Sequence, residues 1–434
     1  MNLSFRESEK ILQFTRRQFR NIGLGGLVIF RRKFINLQRA LVRKLNLKNL
    51  FKYIISTIII LLIRILRPLL LIKIGSLRND RIGHFAADTE KYLCEKDMGI
   101  QNTRSFDIFY LNNSITANYQ LLKMFKRILF VHPFVEWIEK INDLFPGGKK
   151  HILSTSRDRD ILGIVKQSTR HLYFTEEEEL LGAEYLKRIG LSEEDEFICV
   201  YSRDGSYLPI VQTYRPKRGW SYHDYRNSSI ENYILASELM MKKSYFVFRM
   251  GHHVDKAIPI HNSAFVDYAI NGDRSDFLDI YLLAKSKFLL GAGGGVMSVA
   301  AVFRTPMAIV NYIPLEYCHV GWGENDLQIP KNLWSTKENR FMTFREIIDS
   351  GAGRFLHSHK YKELGIELVE NTPEEIVDLV VEIEGRIDGT WVAGDEDNDL
   401  QSRFHEILPE SELVGKVKPN IGAKFLRQNK YLLE

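Results

Sequence analysis

The sequence is short of cysteine: Cys94, Cys199 and Cys318 are the three in 434 residues. They stand alone, without metal-ligand spacing, which excludes a disulfide framework and a zinc signature and fits a reducing compartment. Two nucleotide fingerprints are also missing. Gly291 to Gly295 has four glycines, but no third glycine of a G-x-G-x-x-G pattern and no following Gly-Lys-Ser/Thr. Dinucleotide and P-loop ATP chemistry are therefore disfavoured. No Asp-x-Asp pair closes an apolar strand, since Asp395-Glu396-Asp397 falls in a late acidic stretch, so no metal site is expected. Internal repeats and long low-complexity segments are absent. So is an uninterrupted apolar run of the roughly 20 residues that a bilayer span takes. Tyr53 to Ile63 is apolar, but Arg64 and Arg67 follow at once.

What is present is an ordinary globular composition, 45% hydrophobic and 26% charged, with a formal net charge of +6. The excess is concentrated near the start. Arg16, Arg17, Arg20, Arg31, Arg32, Lys33, Arg39, Arg43 and Lys44 are interleaved with Phe14, Phe19, Val28, Phe30 and Leu41, against Glu7 and Glu9. A basic, amphipathic segment followed by a short apolar run suits an anionic membrane surface, with arginines reaching back to headgroups. An interfacial helix is expected over a full span. A cleaved signal peptide is not expected, because the apolar run begins late and lacks a small-residue cleavage site. No nucleic-acid module accompanies the basic arm.

Downstream, buried-strand runs alternate with helical patterns, as in an open α/β sheet. The expected organisation is a membrane-associating helical segment at 1–66 and an α/β region at 67–192. A second α/β region at 193–390 and a tail at 391–434 that packs back on the first region complete it. Thr175 with Glu178, Ser228 with Glu231, and Ser275 mark helix starts, and Pro373 sits in a first turn. The central motif is Leu289 to Asn311: strand, glycine turn, helix from about Val296, Pro306, strand. Backbone N–H groups of such a turn, at the positive end of a helix, favour a phosphate; tight packing is the competing use of the same glycines.

Other polar loops follow predicted strands, where open sheets bind ligands. Arg78-Asn79-Asp80-Arg81-Ile82-Gly83-His84 offers guanidinium groups expected to bind an acceptor through its phosphate or carboxylate (Arg78, Arg81) and Asp80 or His84 as a general base on an acceptor hydroxyl. Arg203, with Asp204 beside it, would neutralise a diphosphate leaving group. His223, Asp224 and Arg226 form a dense polar loop. Arg249 precedes Gly251 at another strand end and is expected near a phosphate. Glu316 would accept from ribose hydroxyls.

These residues together carry a resemblance. From about Arg67 onward the chain resembles bacterial glycosyltransferases encoded with surface-polysaccharide genes. The resemblance lies in Arg81-Ile82-Gly83-His84-Phe85-Ala86, Phe174 to Glu178 with Gly182, His223 to Tyr233, Arg249-Met250-Gly251 and Gly291 to Pro306. The second half is also similar in order to fucosyltransferases of the GT-B fold, in which an arginine after the first donor-domain strand contacts the nucleotide diphosphate; Arg203 takes that place. The glycine segment resembles the donor loop of heptosyltransferases, with Gly294, Gly295 and Ser298 at the phosphate-contacting positions. Those enzymes usually carry Asp-Ser-Gly there, whereas this chain has Gly293-Gly294-Gly295, which shifts the contact to backbone donors.

The resemblance implies two Rossmann-like domains of the GT-B type behind an N-terminal helical extension. It implies a metal-independent glycosyltransferase without a cofactor, using a nucleotide-diphosphate sugar as co-substrate. The acceptor would be a hydroxyl of a glycan or lipid-linked glycan, at the cytoplasmic side of a bacterial inner membrane. A nucleotide-sugar epimerase and a non-catalytic membrane-bound assembly protein are the alternatives.

Overall fold

A computed structural model describes residues 47–153, 160–205, 221–252, 254, 256–317, 323, 325–411, 413–416 and 418–434. The basic arm before residue 47, Cys318 and His253 lie outside the described residues. Two compact units are present.

The first unit comprises described residues 47–69 and 137–149. Helix α1, Leu47–Leu66, extends beyond the apolar run at both ends. Its Asn49–Leu66 stretch, with a mean hydropathy of 1.9, is long and apolar enough to cross a membrane. Tyr53 meets Trp137 edge-on at 5.4 Å, and Arg64 donates to the Pro146 carbonyl at 2.7 Å and to Asn142 Oδ1 at 3.3 Å. Between these anchors Ser56, Ile60 and Ile63 are buried.

The second unit is an α/β body with two parallel sheets and a small antiparallel one. Strand β1 (Leu71–Leu77) leads into helix α2 (Ile82–Asp97), then β2 (Ser105–Leu111), α3 (Tyr119–Ile128) and β3 (Phe130–Val131); α4 (Val135–Asn142), which follows, belongs to the first unit from Trp137 on. The sheet runs β1-β2-β3, with Ile74 making a further parallel bridge to Ile152. Helix α5, Glu176–Arg188, starts with the expected capping box of Thr175 and Glu178.

The larger sheet holds β4 (Phe197–Tyr201), β5 (Phe246–Arg249), β6 (Phe265–Val266), β7 (Leu289–Gly291), β8 (Met307–Tyr312) and β9 (Leu327–Pro330). Helices α6 (Ile234–Lys242), α7 (Asp276–Lys285) and α8 (Gly295–Phe303) lie between them in sequence. The strand order is β6-β5-β4-β7-β8-β9, all parallel. That is the doubly wound order, in which the chain reverses direction between its first and fourth strands. Here the reversal falls between β4 and β7. β4 and β7 are buried along most of their length, as a sheet covered on both faces requires.

Helices α2 and α8 pack on each other, and one apolar cluster runs from Phe85, Phe109 and Phe125 through Val299 and Phe303 to Leu289 and Ile309. The boundary expected at 192–193 thus lies inside one compact unit. Helices α9 (Pro373–Ile387), α10 (Asp397–Ile407) and α11 (Ala423–Gln428) complete the fold.

Two local expectations are corrected. Ser228 does not cap a helix: its hydroxyl pairs with the Tyr233 hydroxyl at 3.0 Å, and a 3-10 turn at Ile230–Tyr233 precedes α6. The acidic stretch after Gly394 becomes the first turn of α10, where buried Asp397 takes two hydrogen bonds from Arg427. The C-terminal residues, expected against the first region, pack on α9 and α10 beside the large sheet. The tail reaches that region at Lys416, whose N–H donates to the Ile161 carbonyl at 2.8 Å.

Candidate functional site

In a doubly wound sheet, ligands bind outside the carboxyl ends of the strands at the point where the strand order reverses. β4 ends there in Tyr201-Ser202-Arg203, and β7 ends in the glycine turn. Helix α8 begins at Gly295, one residue earlier than expected, with Gly294 as its N-cap. No side chain caps this helix and no acidic residue stands in its first turn. Its first N–H groups are left for water or a ligand.

The glycines also have steric reasons. A Cβ on Gly294 would lie 2.9 Å from the Tyr201 ring, and one on Gly295 would lie 2.8 Å from Ile82. A Cβ on Gly83 would fall 2.9 Å from the Gly295 Cα and 3.3 Å from Ser298 Oγ. Helices α2 and α8 therefore meet at their N-terminal ends, Gly83 on Gly295. Helix α2 begins at Ile82, which puts Gly83 and His84 in its first turn. It too lacks a side-chain cap and a first-turn acid; its N-cap is Arg81. Two positive helix ends converge on one point.

Cationic side chains gather around that point. Arg203 is held as a fork, Nη1 donating to the His223 carbonyl at 2.9 Å and to Asn227 Oδ1 at 2.7 Å. Burial, and then the neighbouring Arg226, pull its pKa below the ordinary value. Arg226 donates to the Gly293 carbonyl at 3.0 Å, which ties it to the glycine turn. His223 is pushed down to about 3, by burial first and then by Arg226, Arg203, Arg81 and His357. Lys331, buried just after β9, donates to the Asn227 carbonyl at 2.6 Å and lies 3.8 Å from Glu370. Burial lowers its pKa, with Arg203 adding to the effect and Glu370 opposing it. A neutral imidazole facing three guanidinium groups marks a field that favours an anion.

Arg81, Arg203, His223, Arg226, Gly293, Gly294 and Gly295 are thus brought together. Ser298 faces Gly83 across the helix contact. Asp224 accepts a long hydrogen bond from Asn227, at 3.4 Å, and acts on Arg203 through its charge. Asp80 and Asp204 are partly exposed in the loops that carry Arg81 and Arg203. His84 Nδ1 lies 3.5 Å from Asp88 and 3.4 Å from Arg78, and Arg78 lies 3.9 Å from the same Asp88.

Two expected ligands are placed elsewhere. Arg249 is 2% exposed and spends its guanidinium on Asp267, at 3.2 Å, and on the Lys256 carbonyl, at 2.6 Å. It holds the β5–β6 connection together and presents no free fork to a phosphate. Gly251 serves the same packing, since a Cβ there would lie 2.6 Å from Val254. Glu316 is fully buried: Oε2 accepts from Arg354 at 2.8 Å, and Oε1 is buried without a hydrogen-bond partner. It does not face an open ribose site. Asp326 caps inward as well, accepting from Met307 N–H at 2.9 Å and Gly323 N–H at 2.7 Å.

Lys331, Tyr201, His357 and Asp88 were missed. Lys331 carried a readable signal, a cation directly after the apolar strand that ends at Pro330. His357 had none, because it reaches the site from a distant part of the chain.

Among the described residues, Glu90, Cys94 and His171 have ligand atoms close enough together to hold a metal ion. That space is already used by a cation. Arg304, the left-handed C-cap of α8, donates to Glu90 Oε1 at 2.8 Å and to Cys94 Sγ at 3.7 Å. Burial opposes charge on His171, but hydrogen bonds to Cys94, Glu90 and Asp97 outweigh it and push its pKa up to about 10. The cluster clamps the C-terminal end of α8 to α2.

No family model matches the chain, and no curated protein matches it in sequence. Among solved structures, the ADP-heptose LPS heptosyltransferase II of E. coli is 13% identical, with a TM-score of 0.40 over 73% of this chain and 100% of that one. A glycosyl transferase family 9 protein from Veillonella parvula is 12% identical, with a TM-score of 0.41 over 72% of this chain and 98% of that one. The iron-containing dodecameric glycosyltransferase TibC of enterotoxigenic E. coli is 9% identical, with a TM-score of 0.32 over 57% of this chain and 62% of that one. Likenesses this distant say nothing about chemistry, which has to rest on the site itself.

Proposed function

We propose that the chain is a glycosyltransferase of the GT-B type that binds the diphosphate of a nucleotide sugar where α2 and α8 meet. The observation that carries this is the pair of uncapped, acid-free helix N-termini facing Arg81, Arg203 and Arg226 at the reversal point of the large sheet. A diphosphate needs several fixed donors and a positive field; this junction has both.

In this proposal Arg203 and the first N–H groups of α8 stabilise the charge that develops on the departing nucleoside diphosphate. Asn227 and the His223 carbonyl hold the Arg203 fork in place, so little reorganisation is needed as the bond breaks. The neutralising charge is assigned to these groups, with no role for a metal. His84 is the base in the proposal, taking the proton of the acceptor hydroxyl, with the Asp88 carboxylate 3.5 Å from its ring to stabilise the imidazolium that forms; Asp80 is the second choice. The acceptor is a glycan hydroxyl, lipid-linked if α1 keeps the chain at a membrane.

The test is direct. The full chain is screened for thermal stabilisation by ADP-, UDP-, GDP- and CMP-sugars. One that binds is then followed for nucleotide release with and without a membrane-glycan extract. Stabilisation by one donor, with release dependent on the extract, supports the proposal. Epimer formation without acceptor turns it to the epimerase alternative, and stabilisation by none of the four sinks it.

A further inference from the structure

Helix α1 has two unlike faces, and they say how it would meet a lipid bilayer. One face is covered: Tyr53 and Arg64 anchor it to residues 137–149, and Ser56, Ile60 and Ile63 between them are buried. The opposite face carries Phe51, Ile54, Ile58, Leu61, Leu62 and Ile65, all exposed. Their spacing of three and four residues makes one continuous apolar stripe along the helix.

Length and composition alone allow this helix to span a membrane. Its covering segment does not. Residues 137–149 include Lys140, Asn142, Asp143 and Lys149, and the stretch after α4 is an irregular turn. A spanning α1 would carry those charges and polar side chains into hydrocarbon, where each is costly. Lying flat removes the conflict: the stripe enters the acyl boundary and the covering segment stays in water.

The charges around the stripe favour an anionic surface. Lys52 neighbours Phe51 in the helix, Arg67 follows the helix, and the sequence before it has many more basic than acidic residues. Clustered cations beside an apolar stripe are what interfacial helices present to anionic headgroups.

We infer that α1 docks in the plane of an anionic bilayer leaflet through the stripe from Phe51 to Ile65, without crossing it. This docking is independent of the proposed transfer reaction, and its test reads no catalysis. Purified full chain is mixed with preformed sealed vesicles of phosphatidylcholine, with and without phosphatidylglycerol, and the bound fraction is measured by flotation. Binding should be at least about tenfold stronger with phosphatidylglycerol and should weaken in high salt. Both Ile58→Glu and Ile65→Glu, at exposed positions, should lower it by a further factor of about ten or more while the melting temperature stays near wild type. Trypsin added outside should leave no membrane-protected fragment containing residues 47–66.

A protected fragment would overturn the in-plane arrangement in favour of a span. Failure to float on either vesicle, or binding unaffected by both substitutions, would overturn the docking itself. In that case a wild-type dimer that Ile58→Glu turns into a monomer would assign the stripe to a second copy. A monomer throughout would assign it to the chain's own first 46 residues.

Discussion

Helices in this protein begin in two ways. Helix α5, the short helix Phe344–Asp349 and α9 each start with a complete capping box, Thr175 with Glu178, Thr343 with Glu346, and Thr372 with Glu375. Acidic residues fill their first turns, four of them in α5. Helices α2 and α8 have neither a side-chain cap nor a first-turn acid, and they start against each other. A capped start satisfies its own N–H groups and cancels its own positive end. Helices α6 and α11 also start without a side-chain cap or a first-turn acid, so an open start alone marks nothing; what sets α2 and α8 apart is that their open ends meet, Gly83 on Gly295, with Arg81, Arg203 and Arg226 around them. The contrast is between helix ends that complete their own capping and two ends that leave their N–H groups open at one point.

The contrast breaks most sharply at Arg203. Arg203→Ala should lower kcat/KM for the donor by roughly 10²–10³-fold with little loss of circular dichroism signal; turnover near wild type would remove Arg203 from the site. Breaking the clamp at the far end of α8 should show up as stability instead. Glu90→Gln leaves Arg304 short of its buried partner and should cost about 3 kcal/mol in denaturant unfolding. Gly83→Ala pushes a methyl against the Gly295 backbone and should cost about 1–3 kcal/mol. It should also weaken donor affinity, because it forces apart the two helix ends that make the site; unchanged affinity would mean the ends act separately. Thr175→Ala removes a capped start and should cost about 1 kcal/mol with kinetics unchanged.

A further effect is in pH. His223 is neutral in the folded chain down to about 3 but takes a proton near 6.5 when unfolded. Between those values the unfolded state binds more protons, so this residue makes stability fall as pH drops below about 6.5. A bound diphosphate should reverse part of that by favouring the imidazolium. Affinity for an intact nucleotide sugar should then rise as pH falls from 7 toward 5, and His223→Gln should flatten the profile, as calorimetry in buffers of different ionisation heat would show.

Much of this was legible in the chain, for local reasons. Arg203 follows a short apolar strand, the glycine turn follows another, and Thr175, Ser275 and Pro373 start helices where their side chains and ring geometry favour it. What was not legible depends on partners distant in sequence. Arg249 looked like Arg203, a cation at a strand end, but Asp267 on the next connection takes its guanidinium. Glu316 looked open until Gly353 and Arg354 were folded over it. The meeting of Gly83 with Gly295 joins residues more than two hundred positions apart, and no periodicity announces it. Ser228 failed as a cap because the Tyr233 hydroxyl is a nearer partner than a helix N–H.

The contact of Gly83 with Gly295 has a kinetic meaning as well. Two lobes joined by a hinge must close around each substrate, and that closing step often limits turnover. Here the loop with His84 and the loop with Arg203 belong to one body whose helices touch backbone to backbone. Under the proposed function, each cycle would start with the donor and acceptor sides already in register. Its rate should then follow how fast a charged donor is drawn in by the field at the junction, and it should fall steeply as salt is raised.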